Sequence, residues 1–161
     1  MKSIKKLLFV MAALAAVFGF VACSNDDDDD PETVAVYTGK DVDDWSYVIT
    51  FYDDGTFKNV VTIEGLGSGT VATGTYNGDV NKDTSNDNIV TFTIKTMGGY
   101  SPEAGKFVAV SIREYVKMDL EADGEEATDE DIDEELKSYT DKPMTIKDGS
   151  FTYDYVKYTR Q

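Results

Sequence analysis

Runs of residues that alternate between apolar and polar, each bounded by turn residues, constrain the fold of this chain more than any other feature. Every second residue from Trp45 to Phe51 is aromatic or aliphatic, and the same period recurs from Val90 to Ile94. A period of two places successive side chains on opposite faces of a β-strand. After residue 33, leucine occurs only at positions 66, 120 and 136, while the strand-favouring valine, isoleucine, threonine and aromatic residues are abundant. The chain is therefore predicted to be all-β, with one face of each strand directed inward.

Turn residues divide the chain into predicted strands. Asp53-Asp54-Gly55 and Asp148-Gly149 are hairpin signals, because Asp and Gly tolerate the backbone of tight turns. The predicted strands cover residues 33–38, 45–53, 56–64, 69–77, 88–97, 106–118, 142–148 and 150–159. An antiparallel meander of about eight such strands removes its free edges best by closing into a barrel, which is our prediction. An open or two-layered sheet with the same strands is the alternative.

The segment from Thr128 to Tyr139 departs from the strand pattern. It begins with threonine, a helix-capping residue, followed by acids that suit a helix amino terminus. Ile132, Leu136 and Tyr139 recur at helical spacing, which predicts one short α-helix before the last two strands. We expect its apolar stripe to cover an open end of the barrel. The alternative is that its acidic face docks a partner.

The first 22 residues have the layout of a secretory signal peptide. Three lysines, at positions 2, 5 and 6, precede an apolar run from Leu7 to Ala22. That run is shorter than the roughly 20 residues that a membrane-spanning helix needs, so a permanent transmembrane anchor is the weaker alternative. We divide the chain into a signal peptide over 1–22, a tether over 23–32 and one folded domain over 33–161.

The residues Val21-Ala22-Cys23 resemble a bacterial lipobox, where a signal peptidase cuts before the cysteine and the new amino terminus carries acyl chains such as palmitate. Cys23 is the only cysteine of the chain, so it has no partner for an intramolecular disulfide. Several acyl chains on one cysteine anchor a protein stably, whereas a single chain binds membranes marginally. The resemblance implies a lipoprotein whose contact with the membrane is the lipidated Cys23.

Five consecutive aspartates, Asp26 to Asp30, follow the cysteine. Adjacent carboxylates repel one another and cannot join a core, so we interpret residues 23–32 as a solvated tether. An acidic run at this place also resembles the surface-export signal of lipoproteins in the Bacteroidota, and similar leaders occur in spirochaetes. The resemblance implies an outer-membrane protein on the cell surface. A plain spacer and calcium capture by the aspartates are the alternatives.

The charge of the chain excludes several classes of partner and reaction. Its 161 residues, which suffice for one domain, carry 15 Lys and Arg against 31 Asp and Glu, a net charge of −16 without histidine. Nucleic acid is excluded as a partner, since its binding depends on neutralising phosphates with basic side chains. Serine catalysis lacks its histidine base, and a zinc site lacks its usual ligands. We expect a monomer with no catalytic activity and no cofactor.

Several phrases of the sequence together resemble the small lipocalin-like lipoproteins of Gram-negative bacteria. These phrases are the early Trp45, the run from Ile49 to Phe57, Gly74-Thr75-Tyr76, the run from Ile89 to Phe92 and the closing Tyr158-Thr159-Arg160. The resemblance covers about residues 33 to 160. It implies a lipocalin-like β-barrel, and it implies that Arg160 lies across the indole of Trp45.

Aromatic side chains supply the candidate ligand site. An eight-stranded barrel is just wide enough either to be filled by side chains or to hold one small ligand. The first possibility makes the aromatic residues an ordinary core. The second makes them a pocket for a small amphipathic ligand, and its predicted lining consists of Trp45, Tyr47, Phe51, Tyr153 and Tyr155.

The loop from Asp79 to Asp87 carries oxygen-bearing side chains at alternate positions, as a calcium loop does. Its first three candidate ligands are Asp79, Asn81 and Asp83. Thr84 and Val90 occupy the positions where a calcium loop has its glycine and its bidentate glutamate. A polar turn at a hairpin end has the same composition, so calcium stays one of two interpretations.

Three function classes remain open for such a domain. The first is a small-ligand binder that uses the barrel interior. The second is a protein interaction or adhesion module that uses the acidic outer loops. The third and weakest is an inhibitor of hydrolases.

Overall fold

The computed structural model describes residues 30–82, 88–122 and 126–161, and these form a mostly antiparallel β structure. The strands are β1 Thr33–Lys40, β2 Ser46–Tyr52, β3 Thr56–Ile63, β4 Gly67–Asn77, β5 Asn88–Ser101, β6 Lys106–Ser111, β7 Lys142–Ile146, β8 Ser150–Tyr153 and β9 Val156–Arg160. The helices are α1 Ile112–Glu121 and α2 Asp129–Leu136, and a 3-10 turn, Lys137–Tyr139, follows α2. Within these ranges, no helix is long and apolar enough to cross a membrane.

The strands form one curled sheet in the order β6-β5-β4-β3-β2-β1-β9-β8. Consecutive strands pair from β1 to β6, as a meander predicts, but β7 pairs with the first half of β5. The pairing described between β7 and β8 is a single bridge, Lys147 to Ser150. The sheet is therefore curled like part of a barrel, without a continuous ladder between β7 and β8 in the described residues.

The predicted strand over 106–118 is wrong in its second half, which is the helix α1. Ser111 caps this helix, since its hydroxyl accepts a hydrogen bond from the backbone N–H of Glu114 at 3.2 Å. Ile112 and Val116 lie four residues apart and face the same side, and Val116 is buried. The described residues thus contain two α-helices before the last strands, where one was predicted.

The predicted strand over 150–159 is also wrong, because it is two strands, β8 and β9, joined by a tight turn. The turn residues Asp154 and Tyr155 both adopt positive φ, at 46° and 65°. Two residues of positive φ match the twist of a hairpin. Tyrosine rarely adopts this conformation, so the sequence carries no ordinary turn signal at this point.

The predicted helix after Thr128 is confirmed as α2. The Thr128 hydroxyl accepts from the Asp131 N–H at 3.3 Å, and the Asp131 carboxylate accepts from the Thr128 N–H at 3.2 Å, which forms a capping box. Ile132 is buried, and Arg113 of α1 forms ion pairs with Asp129 and Asp133 of α2. The two helices therefore pack against each other as a pair.

Aromatic rings fill the concave side of the sheet. Phe51 is fully buried and lies within 5.0 to 6.2 Å, between ring centroids, of four other rings. Those rings are Tyr37, Phe57, Tyr76 and Phe92. A second, smaller cluster consists of Val61, Ile63 and Val71, with Trp45, Leu66 and Phe107 packed on it.

The curled sheet has two ends, which we call proximal and distal. At the proximal end, Glu32 enters β1 and its N–H donates to the Asp53 carboxylate at 2.9 Å. The loop after β4 folds over this end, where the Tyr37 hydroxyl donates to the Val80 carbonyl at 2.7 Å. The distal end carries the turns after β1, β3, β5 and β8, which cover 41–45, 64–66, 102–105 and 154–155.

Candidate functional site

The predicted pocket residues from the first half of the chain lie at different depths. Phe51 belongs to the aromatic core and is 0% exposed. Trp45 immediately precedes β2, is half-buried, and accepts a hydrogen bond at its carbonyl from the Asp41 N–H at 3.2 Å. Tyr47 is half-buried between the two apolar clusters. These three side chains therefore run from the centre of the domain to its distal surface.

The predicted pocket residues from the second half of the chain do not share a face. Tyr153 ends β8 and packs against the core, whereas Tyr155 lies in the turn and is 94% exposed. The alternation that placed them together is interrupted, because the chain reverses direction at Asp154. Tyr47 and Tyr153 both pack against the main aromatic cluster, whereas Tyr155 lies at the surface.

Arg160 does not lie across Trp45 as the resemblance implied. It pairs with Tyr37 on β1, whereas Trp45 lies beyond Lys40, which is opposite Lys157. Its guanidinium donates to the Asn81 carbonyl at 2.7 Å and to the Asn81 side-chain oxygen at 2.6 Å. Arg160 therefore holds the loop that covers the proximal end.

The candidate calcium loop is only partly described. The Asp79 carboxylate accepts from the Asn81 N–H at 2.9 Å, and both oxygens of Asn81 accept from Arg160. Asp83 lies outside the described residues. Within the described residues, no group of three Asp, Glu, Cys or His is arranged to hold a metal ion. The Arg160 guanidinium already donates to both oxygens of Asn81, and calcium binding stays a prediction. Cys23 and the aspartates up to Asp29 also lie outside the described residues.

Two shallow depressions lie outside the aromatic core. One, of about 440 Å³, lies between β4 and β6 beside Gly69 and Phe107. The other, of about 600 Å³, lies between the helices beside Arg113 and Ile132. No residue of the main aromatic cluster lines either depression.

The most exposed large apolar side chains lie on two distal turns. Val42 is 96% exposed on the loop after β1, and Tyr155 is 94% exposed on the turn after β8. These turns are neighbours, because β1 pairs with β9 up to Lys40 and Lys157. We call them the distal turns, residues 41–45 and 154–155. Together they also carry the carboxylates of Asp41, Asp43, Asp44 and Asp154.

Four half-buried tyrosines have hydroxyls within the electrostatic range of Asp154 on the distal turns. They come from three parts of the chain and are Tyr47 on β2, Tyr115 on α1, Tyr139 in the 3-10 turn and Tyr153 on β8. We call them the tyrosine rim. The Tyr47 hydroxyl donates to the Asp41 carboxylate at 3.2 Å, and the Tyr47 ring lies 6.4 Å from the ring of Tyr158.

One carboxylate, that of Asp154, influences the pKa of all four rim tyrosines. Burial raises the pKa of Tyr47, Tyr115, Tyr139 and Tyr153, and the negative charge of Asp154 raises each pKa further. For Tyr139, burial together with the neighbouring charges raises the pKa to about 12. A raised pKa keeps each phenol neutral near pH 7. The four phenols therefore stay neutral beside the negative charge of Asp154.

A buried amide lies beside Tyr158 in the core. Asn59 of β3 is 3% exposed and is the one buried polar residue of the described core. Its Nδ2 donates to the Tyr158 hydroxyl at 3.1 Å, while its Oδ1 is buried without a hydrogen-bond partner. Leaving such an oxygen unpaired costs roughly 1–3 kcal/mol. Burial also raises the pKa of Tyr158, so its hydroxyl stays protonated.

The sequence pattern indicates two of the four rim tyrosines and does not indicate the other two. Tyr47 and Tyr153 carried a strand signal, whereas Tyr115 was assigned to a strand that is a helix. Tyr139 was assigned only to the helical stripe. The available signal was the spacing of Ile112 and Val116, which is helical and begins directly after a capping serine.

Comparison with protein-family models, with curated proteins and with solved structures finds no match for this chain.

Proposed function

We propose that this chain is a lipid-anchored lipoprotein of the outer membrane whose lipocalin-like barrel domain is a non-catalytic binding module. In this proposal Cys23 carries the lipid, the domain stands on the cell surface, and the distal end meets a partner. This selects the interaction module over a small-ligand carrier that uses the interior.

One observation carries the proposal: the concave side is filled, while the two most exposed large apolar side chains of the described residues lie on adjacent turns at the distal end. Phe51, Tyr37 and Phe92 are each at most 1% exposed, which favours a packed core over a ligand cavity. Val42 and Tyr155 are almost fully exposed on adjacent turns. Exposed apolar side chains on adjacent turns are available for contact with a partner.

The direction of the chain supports the choice of end. Glu32 enters the sheet at the proximal end, where it is bonded to Asp53. A lipid on Cys23, nine residues earlier, therefore holds the proximal end toward the membrane. Nine residues of fully extended chain span about 30 Å at most. The distal turns then face away from the membrane.

Labelling of single cysteines on intact cells tests this orientation. Val42→Cys at the distal end and Lys82→Cys at the proximal end each place one thiol on an exposed position of the full-length chain. Acylation blocks Cys23, so each variant has one reactive thiol. We expect a bulky, membrane-impermeant maleimide to modify position 42 faster than position 82, because the membrane obstructs the proximal end.

The same reagent on detergent-released protein is the control, and there the two rates should become equal. Faster labelling of position 82 on intact cells would show that the distal end faces the membrane. Absence of labelling at both positions on intact cells would show that the domain is not on the surface.

A further inference from the structure

We propose that the distal end pairs with the distal end of a second copy of this chain, so that Tyr155 of each copy enters a depression beside Phe107 of the other. The inference rests on the proposed function, since it names the partner of the same end. It follows from a strained and exposed aromatic residue, a depression that suits it, and complementary charge. The chain is then a reversible dimer, instead of the monomer expected from its sequence.

Two hairpin turns of the chain share one backbone conformation and carry different residues. The turn Asp148-Gly149 has φ values of 49° and 65°, and the turn Asp154-Tyr155 has φ values of 46° and 65°. Each turn has two residues between paired residues. Glycine suits the second position of such a turn, whereas a bulky side chain at positive φ is an outlier. The chain therefore uses glycine in one turn and bears the steric cost of tyrosine in the other.

The packing of the domain does not explain this tyrosine. Tyr155 is 94% exposed, so its ring gains almost no burial within the chain. Strained backbone conformations concentrate at functional positions, and tyrosine is enriched at the centre of protein interfaces. Val42 on the neighbouring turn is 96% exposed and enlarges the apolar surface. We therefore assign Tyr155 as the central contact residue of the distal end, with Val42 beside it.

The depression between β4 and β6 opens at the same end of the sheet. Its volume is about 440 Å³, within the range of pockets that hold a small organic group. Leu66 and Gly105, from two turns of the distal end, line it together with Phe107. The Phe107 ring packs against the backbone of Gly69, where a Cβ atom would collide with it. The depression thus offers an aromatic ring and an aliphatic side chain to an entering tyrosine.

The charges of the two surfaces are complementary. Of the described residues that line the depression, Lys106 alone is charged, and it forms no ion pair with a described acid. Glu64 and Glu103 lie on the neighbouring turns and do not line the depression. The exposed carboxylate of Asp154 directly precedes Tyr155. Insertion of Tyr155 therefore brings a carboxylate toward an unpaired lysine.

The position of both surfaces on one end allows the contact to form twice. The turn over 154–155 joins β8 to β9, while the depression lies between β4 and β6, which are distant from them in the strand order. Two copies related by a two-fold axis each insert one tyrosine and receive one, so the assembly closes at two chains. Because the proposed function directs the distal end away from the membrane, the paired copies are anchored in facing membranes.

Sedimentation equilibrium of the full-length protein in a density-matched non-ionic detergent measures the number of chains per particle. We expect this number to rise from one to two with protein concentration. Tyr155→Gly should raise the dissociation constant about tenfold or more, as expected for a central contact residue. Tyr155→Phe keeps the ring and should keep the dimer. Ala109→Trp fills the depression from an exposed lining residue and should act like Tyr155→Gly.

Urea unfolding of the dilute monomer separates a contact residue from a structural one. Tyr155→Gly should raise the ratio of folded to unfolded protein about fivefold, because glycine removes the steric cost of positive φ. Gly149→Tyr is the matched variant and should lower this ratio. A Cβ at position 149 meets only the Arg160 Cβ at 3.8 Å, an ordinary contact, so its cost comes mainly from φ. A loss of stability in Tyr155→Gly would overturn the inference.

Two charge reversals separate the proposed contact from general repulsion between acidic chains. Lys106→Glu and Lys58→Glu change the net charge equally, and Lys58 is an exposed residue of β3 away from the depression. We expect Lys106→Glu to weaken the dimer several-fold more than Lys58→Glu. Equal effects of the two variants would overturn the inference.

A single chain per particle at every concentration, or a dimer that Tyr155→Gly leaves intact, would also overturn it. A photochemical crosslink from position 155 to a different protein would overturn the assignment of the partner as a second copy. These measurements in detergent do not depend on the orientation of the domain on cells. Failure of the proposed function would instead appear in the labelling rates at positions 42 and 82.

Discussion

Replacing Cys23 by alanine should release the protein from membranes completely or leave it as uncleaved precursor. The chain has no second cysteine to carry lipid, and no helix of its described residues could span a membrane. Several acyl chains on one residue provide the whole anchor in this account. Detergent phase separation measures the effect, since the wild-type protein should enter the detergent phase and the variant the aqueous phase.

Val42→Ala is the control for this experiment, because it changes an exposed residue of the folded domain and should stay in the detergent phase. The mass of the wild-type protein provides a second check. A mature chain that begins at Cys23 and carries acyl groups is expected. A wild-type chain without lipid would contradict the assignment of this protein as a lipoprotein.

Replacing Phe51 by alanine should lower the free energy of unfolding by about 3–5 kcal/mol, the cost of removing a large aromatic side chain from a packed core. Phe51 is 0% exposed and contacts four rings, so a cavity remains when its ring is removed. Because single domains are stable by about 5–15 kcal/mol, the loss is a large fraction of the total. Urea unfolding followed by circular dichroism measures it.

Val42→Ala is also the control for this experiment. It should change the free energy of unfolding by no more than about 0.5 kcal/mol, because exposed residues contribute little to stability. A cost for Phe51→Ala below about 1.5 kcal/mol would indicate that Phe51 borders a hollow. That result would support a ligand site in the interior of the domain.

The sequence predicted strands correctly where the alternation of apolar residues and the turn residues pointed to the same boundaries. The alternation from Tyr47 to Phe51 gives β2, and Asp54-Gly55 gives the hairpin to β3, because Gly55 has the positive φ, 79°, that glycine tolerates. The pattern failed where the chain used an unusual residue for a turn. Tyr155 has positive φ without being Gly, Asn or Asp, so the reversal between β8 and β9 left no signal.

The position of β7 depends on contacts that local pattern does not contain. Met144 and Ile146 are buried and alternate as a strand residue should, but β7 pairs with β5, more than 40 residues earlier. The Asp148-Gly149 turn forms as predicted, with positive φ at both residues, yet the strands on its two sides take different partners. The turn residues therefore determine where the chain reverses direction, whereas the packing of the core determines which strands pair.

The candidate site was harder to predict than the fold for the same reason. The tyrosine rim joins residues from β2, α1, the 3-10 turn and β8, which are separated by up to 106 residues from Tyr47 to Tyr153. No spacing in the sequence relates them. The unpaired oxygen of Asn59 is likewise invisible in sequence, where Asn59 occupies an ordinary strand position.

Photochemical crosslinking in living cells tests whether the distal end meets a partner. A photoreactive benzoylphenylalanine replaces Tyr155 at the distal end or Tyr52, a partly exposed tyrosine at the proximal end. We expect irradiation to produce a discrete adduct of higher mass at position 155 and none at position 52. No adduct at position 155, or the same adduct at both positions, would contradict it.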